Sequence, residues 1–110
     1  MRDYQIKRSK WYLPQYAYRM ALCVVRAYPD IAAELRSDDR RERAVTAQLR
    51  RQVDAVEMAL LEIPAEYRDG VLDNILEKMS QDRIPNAGRN TWSRWRGRFL
   101  YEVAHNLHLV

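Results

Sequence analysis

The residues best suited to chemistry in this sequence are arginines near its C-terminal end. Four of them lie between positions 89 and 98, where no acidic residue occurs: Arg89, Arg94, Arg96 and Arg98. A guanidinium group presents a rigid fork of N–H donors that matches phosphate oxygens and the edge of a guanine base. The run therefore indicates a surface that binds phosphate groups, although such charge runs also form ordinary solvated helix faces.

Helical spacing separates these arginines. At about 100° per residue, an apolar face forms from residues three, four or seven positions apart: Trp92, Phe99, Val103 and Leu107, with Trp95 at its flank. Arg94, Arg98 and Tyr101 lie on the far side of the same helix, which we expect to run from Trp92 to about Leu107. Arg96 falls on the apolar side, where we expect it to extend past the core toward solvent or to stack on a tryptophan.

A helix with a polar N-cap and arginines in its first two turns is typical of helices that enter the DNA major groove. Its free N–H groups favour a phosphate, and its arginines reach phosphates or base edges. We expect Asn90 or Thr91 to cap this helix. The candidate DNA-binding residues are Arg89, Asn90, Thr91, Arg94, Arg98 and Tyr101. The alternative is an amphipathic packing helix whose arginines only keep it soluble.

Few residues of the sequence are arranged in a way that suggests metal binding or catalysis. Glu102, His105 and His108 follow one another at three-residue steps and could approach a metal, but nothing in the sequence nominates a further ligand. Histidines near a helix C-terminus are also favoured by the helix dipole. No glycine-rich phosphate loop or nucleophile motif occurs. We therefore expect no enzymatic activity, no metal, no cofactor and no small-molecule substrate.

Composition predicts an all-α fold. The chain has 110 residues, of which 47% are hydrophobic, with only three glycines and four prolines. This balance argues against a disordered chain and against a turn-rich β-protein. Cys23 is the only cysteine, which excludes a disulfide framework and a cysteine-based zinc site, and we expect it to be a small core residue. We expect one domain over residues 1–110, a bundle of four to five helices.

Apolar spacing places these helices along the chain. N-terminal helices are expected over residues 13–36, with Ala17, Met20, Ala21, Val24 and Tyr28 forming a stripe that Pro29 ends or kinks, before a short helix from Asp30 to Leu35. A long central helix is expected over residues 40–63. Its inner face should contain Val45, Leu49, Val53, Val56, Leu60 and Ile63. Met58 and Leu61 point to the opposite side, either against another helix or toward a partner.

The last part, residues 65–110, should form a helix–loop–helix. A helix is expected from Ala65 to about Met79, and a polar loop from Ser80 to Asn90, which contains Pro85 and Gly88. Together with the arginine-rich helix, this arrangement is a C-terminal pair similar to a helix-turn-helix.

The net charge of +4 is unevenly distributed. Residues 1–50 carry +5, residues 51–80 carry −4 and residues 81–110 carry +3. Lys7, Arg8, Lys10 and the cluster from Arg40 to Arg43 are further candidates for phosphate contacts. The longest apolar run, Met20 to Val25, is far shorter than the roughly 18 residues of a membrane-spanning helix. We expect a cytoplasmic protein with no membrane partner.

Several segments resemble the RinA/ArpU-type late transcription regulators of phages. They are Tyr18–Pro29, Ile63–Arg68, Asp73-Asn74, Thr91–Phe99 and Val103–Leu107. The resemblance covers about residues 12–35 and 60–110, and the run from Arg94 to Phe99 is its most specific part. It implies a C-terminal helix-turn-helix similar to region 4 of sigma factors, with Thr91, Arg94 and Arg98 facing DNA.

Two functional hypotheses follow. The first is a phage- or mobile-element-type transcription regulator that binds double-stranded DNA through its last helix, with RNA polymerase and a second copy of the chain as further candidate partners. The second is a non-enzymatic helical module that binds another protein and does not read bases. Its support is the outward position of Met58 and Leu61 beside the acidic middle of the chain.

Overall fold

The computed structural model describes residues 10–37, 41–76 and 89–110. Over these ranges the protein is all-α, as the composition predicts. Four helices are described: α1 (Gln15–Arg36), α2 (Arg43–Leu61), α3 (Ala65–Ile75) and α4 (Arg89–Asn106). None of these described helices combines the length and the apolar character needed to cross a membrane.

One hydrophobic core joins all four helices. Tyr18 of α1, Val56 of α2, Ile75 of α3 and Phe99 of α4 are completely buried in the same cluster. Leu13, which precedes α1, is buried with them. Each such side chain contributes about 1.5–3 kcal/mol when it leaves water. The helices are therefore held together by a shared interior rather than by their individual helical propensities.

Helix α1 is one continuous helix, which corrects two expectations. It runs through Pro29 to Arg36, so Pro29 does not end it and no separate helix begins at Asp30. Cys23 is exposed and is not a core residue. Met20 is also exposed, whereas Tyr18, Leu22 and Val25 are buried. Apolar side chains cover most of the circumference of this helix, so their spacing alone does not identify the face that meets α2 and α4.

Helix α2 lies antiparallel to α4. Asn106 Nδ2 donates to the carbonyl oxygen of Ala55 over 3.0 Å, and Arg98 pairs with Glu62, so contacts move backward along α4 as they move forward along α2. The helix begins at Arg43 and ends at Leu61, a shorter range than residues 40–63. Val53 and Val56 are buried as expected, but Val45 is exposed in the first turn.

A tight corner connects α2 to α3. Arg68 Nε donates to the carbonyl oxygens of Leu60 and Ile63, both over 2.8 Å, and thereby ties the first turn of α3 to the end of α2 and the residues that follow it. Helix α3 ends at Ile75, before the Met79 expected from the spacing, and residues 77–88 lie outside the described part of the chain. That gap contains most of the expected loop and the turn of the helix-turn-helix-like pair.

Helix α4 includes Arg89, so neither Asn90 nor Thr91 is its N-cap, and residues 89 and 90 are helical rather than part of a loop. Its C-terminal end is closed by His108, whose φ of 58° is left-handed. The N–H of His108 donates to His105 and the N–H of Leu109 donates to Ala104, over 3.0 and 2.9 Å. These two bonds form a Schellman cap, a motif in which glycine usually occupies the left-handed position.

Candidate nucleic-acid interface

The outer face of α4 carries a stripe of four side chains with spacings of four, three and four residues. We call Arg94, Arg98, Tyr101 and His105 the α4 stripe. Trp92, Phe99 and Val103 lie on the opposite side and are buried. The two faces that the spacing predicts for this helix are therefore the faces that the structure has.

Arg94 is the more solvent-exposed of the two arginines in the α4 stripe. Its side chain is exposed, and its guanidinium lies over the Trp95 ring, 5.3 Å from the ring centroid. Trp95 is in turn stacked on Tyr67 of α3, with the centroids 5.9 Å apart. The guanidinium therefore rests on a fixed aromatic surface, while the N–H groups at its edge remain able to donate.

Arg98 is engaged within the molecule. Its Nη2 lies 3.3 Å from Oε1 of Glu62, and its side chain is only 28% exposed. Its guanidinium also lies 4.9 Å from the centroid of the Trp11 ring. The expected phosphate-binding surface therefore fits Arg94 better than Arg98, because Glu62 of the acidic middle segment partly neutralises Arg98.

Trp11 is a member of this surface that helical spacing does not reveal. It lies before α1, and its ring meets Tyr101 edge-on, with centroids 5.5 Å apart. Lys10 Nζ lies 4.6 Å from the same ring. Tyr101 also contacts His105, with centroids 4.2 Å apart. The N-terminal end of the described chain therefore adds one aromatic ring and one cation to the middle of the α4 stripe.

The structure describes only some of the remaining candidate DNA-binding residues. Thr91 is half-buried in the first turns of α4. Arg89 and Asn90 belong to the helix, but their side chains lie outside the described part of the structure, as do Lys7, Arg8 and Arg40. Two residues of the expected basic cluster can be followed: Arg41 pairs with Glu34 over 3.0 Å, and Arg43 is exposed.

Arg96 is buried and does not extend to solvent, which corrects the first of the two expectations for it. It is 9% exposed, and its Nη1 donates to the hydroxyl of Tyr18 over 3.0 Å. Buried charged groups are stable only with such partners. Arg96 is a structural link between α1 and α4, so it does not belong to the candidate interface.

The two histidines at the C-terminal end of α4 and just after it have structural contacts. His105 packs on Tyr101, and His108 forms the left-handed cap of the helix. Within the described ranges, no three metal-ligating side chains lie close enough together to hold an ion.

Comparisons of the chain with protein-family profiles, with curated protein sequences and with solved structures find no match.

Proposed function

We propose that the protein binds double-stranded DNA through the α4 stripe and acts in the cytoplasm as a transcription regulator of the phage or mobile-element type. The observation that carries the proposal is the position of Arg94, which is exposed on the face of α4 opposite the core. Arginines on such a face can reach phosphates and base edges, while the buried face keeps the helix attached to the bundle. The resemblance to RinA/ArpU-type regulators supports the same function.

Aromatic rings under both arginines favour this use. Arg94 lies over Trp95, and Arg98 lies over Trp11. A ring contacts the flat face of a guanidinium and leaves the in-plane N–H donors for a phosphate or a guanine. Because the side chains are already oriented, less conformational entropy is lost when they bind.

The ion pair of Arg98 is compatible with this proposal. Exposed ion pairs contribute about 0.2–1 kcal/mol, because water solvates both partners and salt screens them. Glu62 is half exposed, so it can return to water when a phosphate replaces it. The exchange costs little beside a charge-assisted bond to phosphate, which is shorter and stronger than a neutral hydrogen bond.

Fluorescence anisotropy with a labelled random duplex tests the proposal. Arg94→Ala should weaken binding, and Arg94→Ala combined with Arg98→Ala should weaken it further. Arg36→Ala is the matched control, because it removes one exposed positive charge at the far end of α1, about 30 Å along the helix from its N-terminal end. Equal losses for Arg94→Ala and Arg36→Ala, or an unchanged affinity for both, would contradict binding through α4.

Selection from a pool of random duplexes at a stated salt concentration tests the regulator role. A regulator should enrich a common sequence, because base contacts discriminate by about 1–3 kcal/mol per pair. Enrichment of no sequence from a chain that still binds DNA would leave sequence-independent binding and contradict this part of the proposal.

A protein-interaction module is the second candidate, and a specific observation favours it. Met58 and Leu61 are 58% and 66% exposed on the outer side of α2, where no described helix covers them. Replacing both with aspartate should disrupt a complex in sedimentation without changing affinity for DNA. An unchanged sedimentation profile would remove the support for this candidate.

A further inference from the structure

The outer face of α2 carries a repeat that is typical of helices that pair with one another. Six exposed residues follow one another at alternating steps of three and four: Ala44, Ala47, Arg51, Asp54, Met58 and Leu61. We call these six residues the α2 seam. They lie opposite Val53 and Val56, which face the core. Spacing of this kind keeps one line of side chains directed toward a second helix over several turns.

The two halves of the α2 seam differ in size. Ala44 and Ala47 occupy its N-terminal half, and Met58 and Leu61 occupy its C-terminal half. If a second α2 helix runs in the opposite direction, Leu61 of each copy meets Ala44 of the other and Met58 meets Ala47. Each large side chain then has space beside a small one, which allows two helices to approach closely.

The two halves of the α2 seam and its flank also differ in charge. Arg50 and Arg51 lie in the N-terminal half, whereas Asp54 and Glu57 lie in the C-terminal half. In the antiparallel arrangement Arg51 of each copy meets Asp54 of the other, and Arg50 lies near Glu57. In a parallel arrangement Arg51 would meet Arg51 and Asp54 would meet Asp54, which is repulsive.

We propose that the protein forms a two-fold symmetric dimer through antiparallel pairing of its α2 helices. The occupant of this face is a second copy of the chain, because size and charge are complementary only when the α2 seam meets itself in reverse. An interface of this type is isologous, so the same residues serve both subunits. The α2 seam spans residues 44–61, about 26 Å of helix.

Existing contacts leave these residues able to pair. Arg51 Nη2 donates to the carbonyl oxygen of Leu107 over 3.3 Å, and its other N–H groups remain available. Glu57 accepts the Tyr28 hydroxyl through one carboxylate oxygen and retains a second. The dimer does not depend on DNA binding, because the α2 seam and the α4 stripe lie on different helices.

Charge reversal with sedimentation equilibrium tests the dimer. Arg51→Glu and Asp54→Arg should each weaken self-association by more than about tenfold, because each places like charges in contact. The double variant Arg51→Glu with Asp54→Arg should restore it. An equal mixture of the two single variants should form a heterodimer, because both contacts then join opposite charges. Monomers at every concentration of the unaltered chain, or dimers that no reversal weakens, would overturn the proposal.

Cysteine cross-linking tests the direction of the helices. In a Cys23→Ser background, a mixture of Ala47→Cys and Met58→Cys proteins should form a disulfide-linked heterodimer. Ala47→Cys alone should not cross-link, because the two copies of position 47 are about 16 Å apart along the antiparallel pair and a disulfide requires Cα atoms within about 7 Å. Efficient cross-linking of Ala47→Cys with itself would overturn the antiparallel arrangement. Circular dichroism shows whether each variant is folded.

Discussion

Two glycines within helices have opposite roles at the level of single residues. A Cβ atom added to Gly70 would lie 2.2 Å from Cη2 and 2.7 Å from Cζ3 of Trp92, well inside van der Waals contact. A Cβ atom added to Gly97 would meet nothing within 4 Å. Gly70 therefore allows α3 to approach the tryptophan that anchors the first turns of α4, whereas Gly97 is only a weak helix former.

Alanine at these two positions should change stability in opposite directions. Gly70→Ala should lower the free energy of unfolding by about 1–3 kcal/mol, because overpacking forces Trp92 or the helix backbone to move. Gly97→Ala should raise it by about 0.5–1 kcal/mol, the usual gain when alanine replaces glycine in a helix. Urea denaturation followed by circular dichroism measures both. A gain for Gly70→Ala would contradict the close packing of α3 on Trp92.

Residue types and spacing predict some positions in this molecule and not others. Phe99 and Val103 lie on the side of α4 that the spacing indicates, and Met58 and Leu61 lie on the outer side of α2. Arg96 falls on the apolar face, but only the fold shows that the Tyr18 hydroxyl meets it there. The need for glycine at position 70 is set by a ring that lies more than twenty residues away in the sequence.

His108 affects stability at the level of a helix, because it ends α4. Its φ of 58° places Cβ close to the following carbonyl, which costs a non-glycine residue roughly 1–2 kcal/mol. His108→Gly removes this cost but increases the freedom of the unfolded chain, so the net gain in stability should be up to about 1 kcal/mol. His108→Ala is the control, since it removes the imidazole but keeps Cβ. Equal effects in thermal unfolding would contradict the role of the left-handed cap.

The contact between α1 and α2 has a pH dependence. The Tyr28 hydroxyl donates to Glu57 Oε2 over 2.9 Å. Burial raises the pKa of Tyr28 above its ordinary value of 10.0, the hydrogen bond to Glu57 and the charge of Glu57 raise it further, and the charge of Arg36 lowers it. Because the folded state holds this proton more tightly than the unfolded state, the contribution to stability is complete below pH 10 and is lost as pH rises through the folded pKa.

Tyr28→Phe should therefore reduce the loss of stability at alkaline pH. The unaltered protein should lose free energy of unfolding faster than the variant as pH rises above 10. Denaturation curves of the two proteins at a series of pH values measure the difference. Parallel decreases would contradict a link between the Tyr28 proton and the packing of α1 on α2.

Helical periodicity predicts the existence of the helices better than their limits. The positions of α2, α3 and α4 follow from apolar residues at three- and four-residue steps, and the all-α fold is confirmed. The limits differ because a local signal does not decide alone where a helix ends. Pro29 is a helix breaker by itself, yet α1 continues through it to Arg36, although the buried residues of this helix all precede the proline. Likewise α2 begins at Arg43, three residues after the start that the sequence predicts.

At the scale of the whole molecule, the arrangement of charge is more informative than its total. The net charge of +4 is carried by 19 basic and 15 acidic residues, many of which hold the fold together. Arg68 closes the corner after α2, Arg96 links α1 to α4 and Arg98 pairs with Glu62. The sequence predicts the arginine-rich outer face of α4 but not the internal use of these three. The partners of Arg96 and Arg98 come from distant parts of the chain, and those of Arg68 are backbone carbonyl groups, which side-chain types do not reveal.

The salt dependence of DNA affinity tests the role of the α4 stripe most directly. The logarithm of affinity falls with the logarithm of salt concentration, with a slope of about 0.9 for each phosphate that the protein neutralises. The slope for Arg94→Ala should be smaller than that of the unaltered protein by about 0.9, and the slope for Arg36→Ala should be unchanged. Identical slopes for the unaltered protein and Arg94→Ala would contradict a phosphate contact at the exposed arginine of α4.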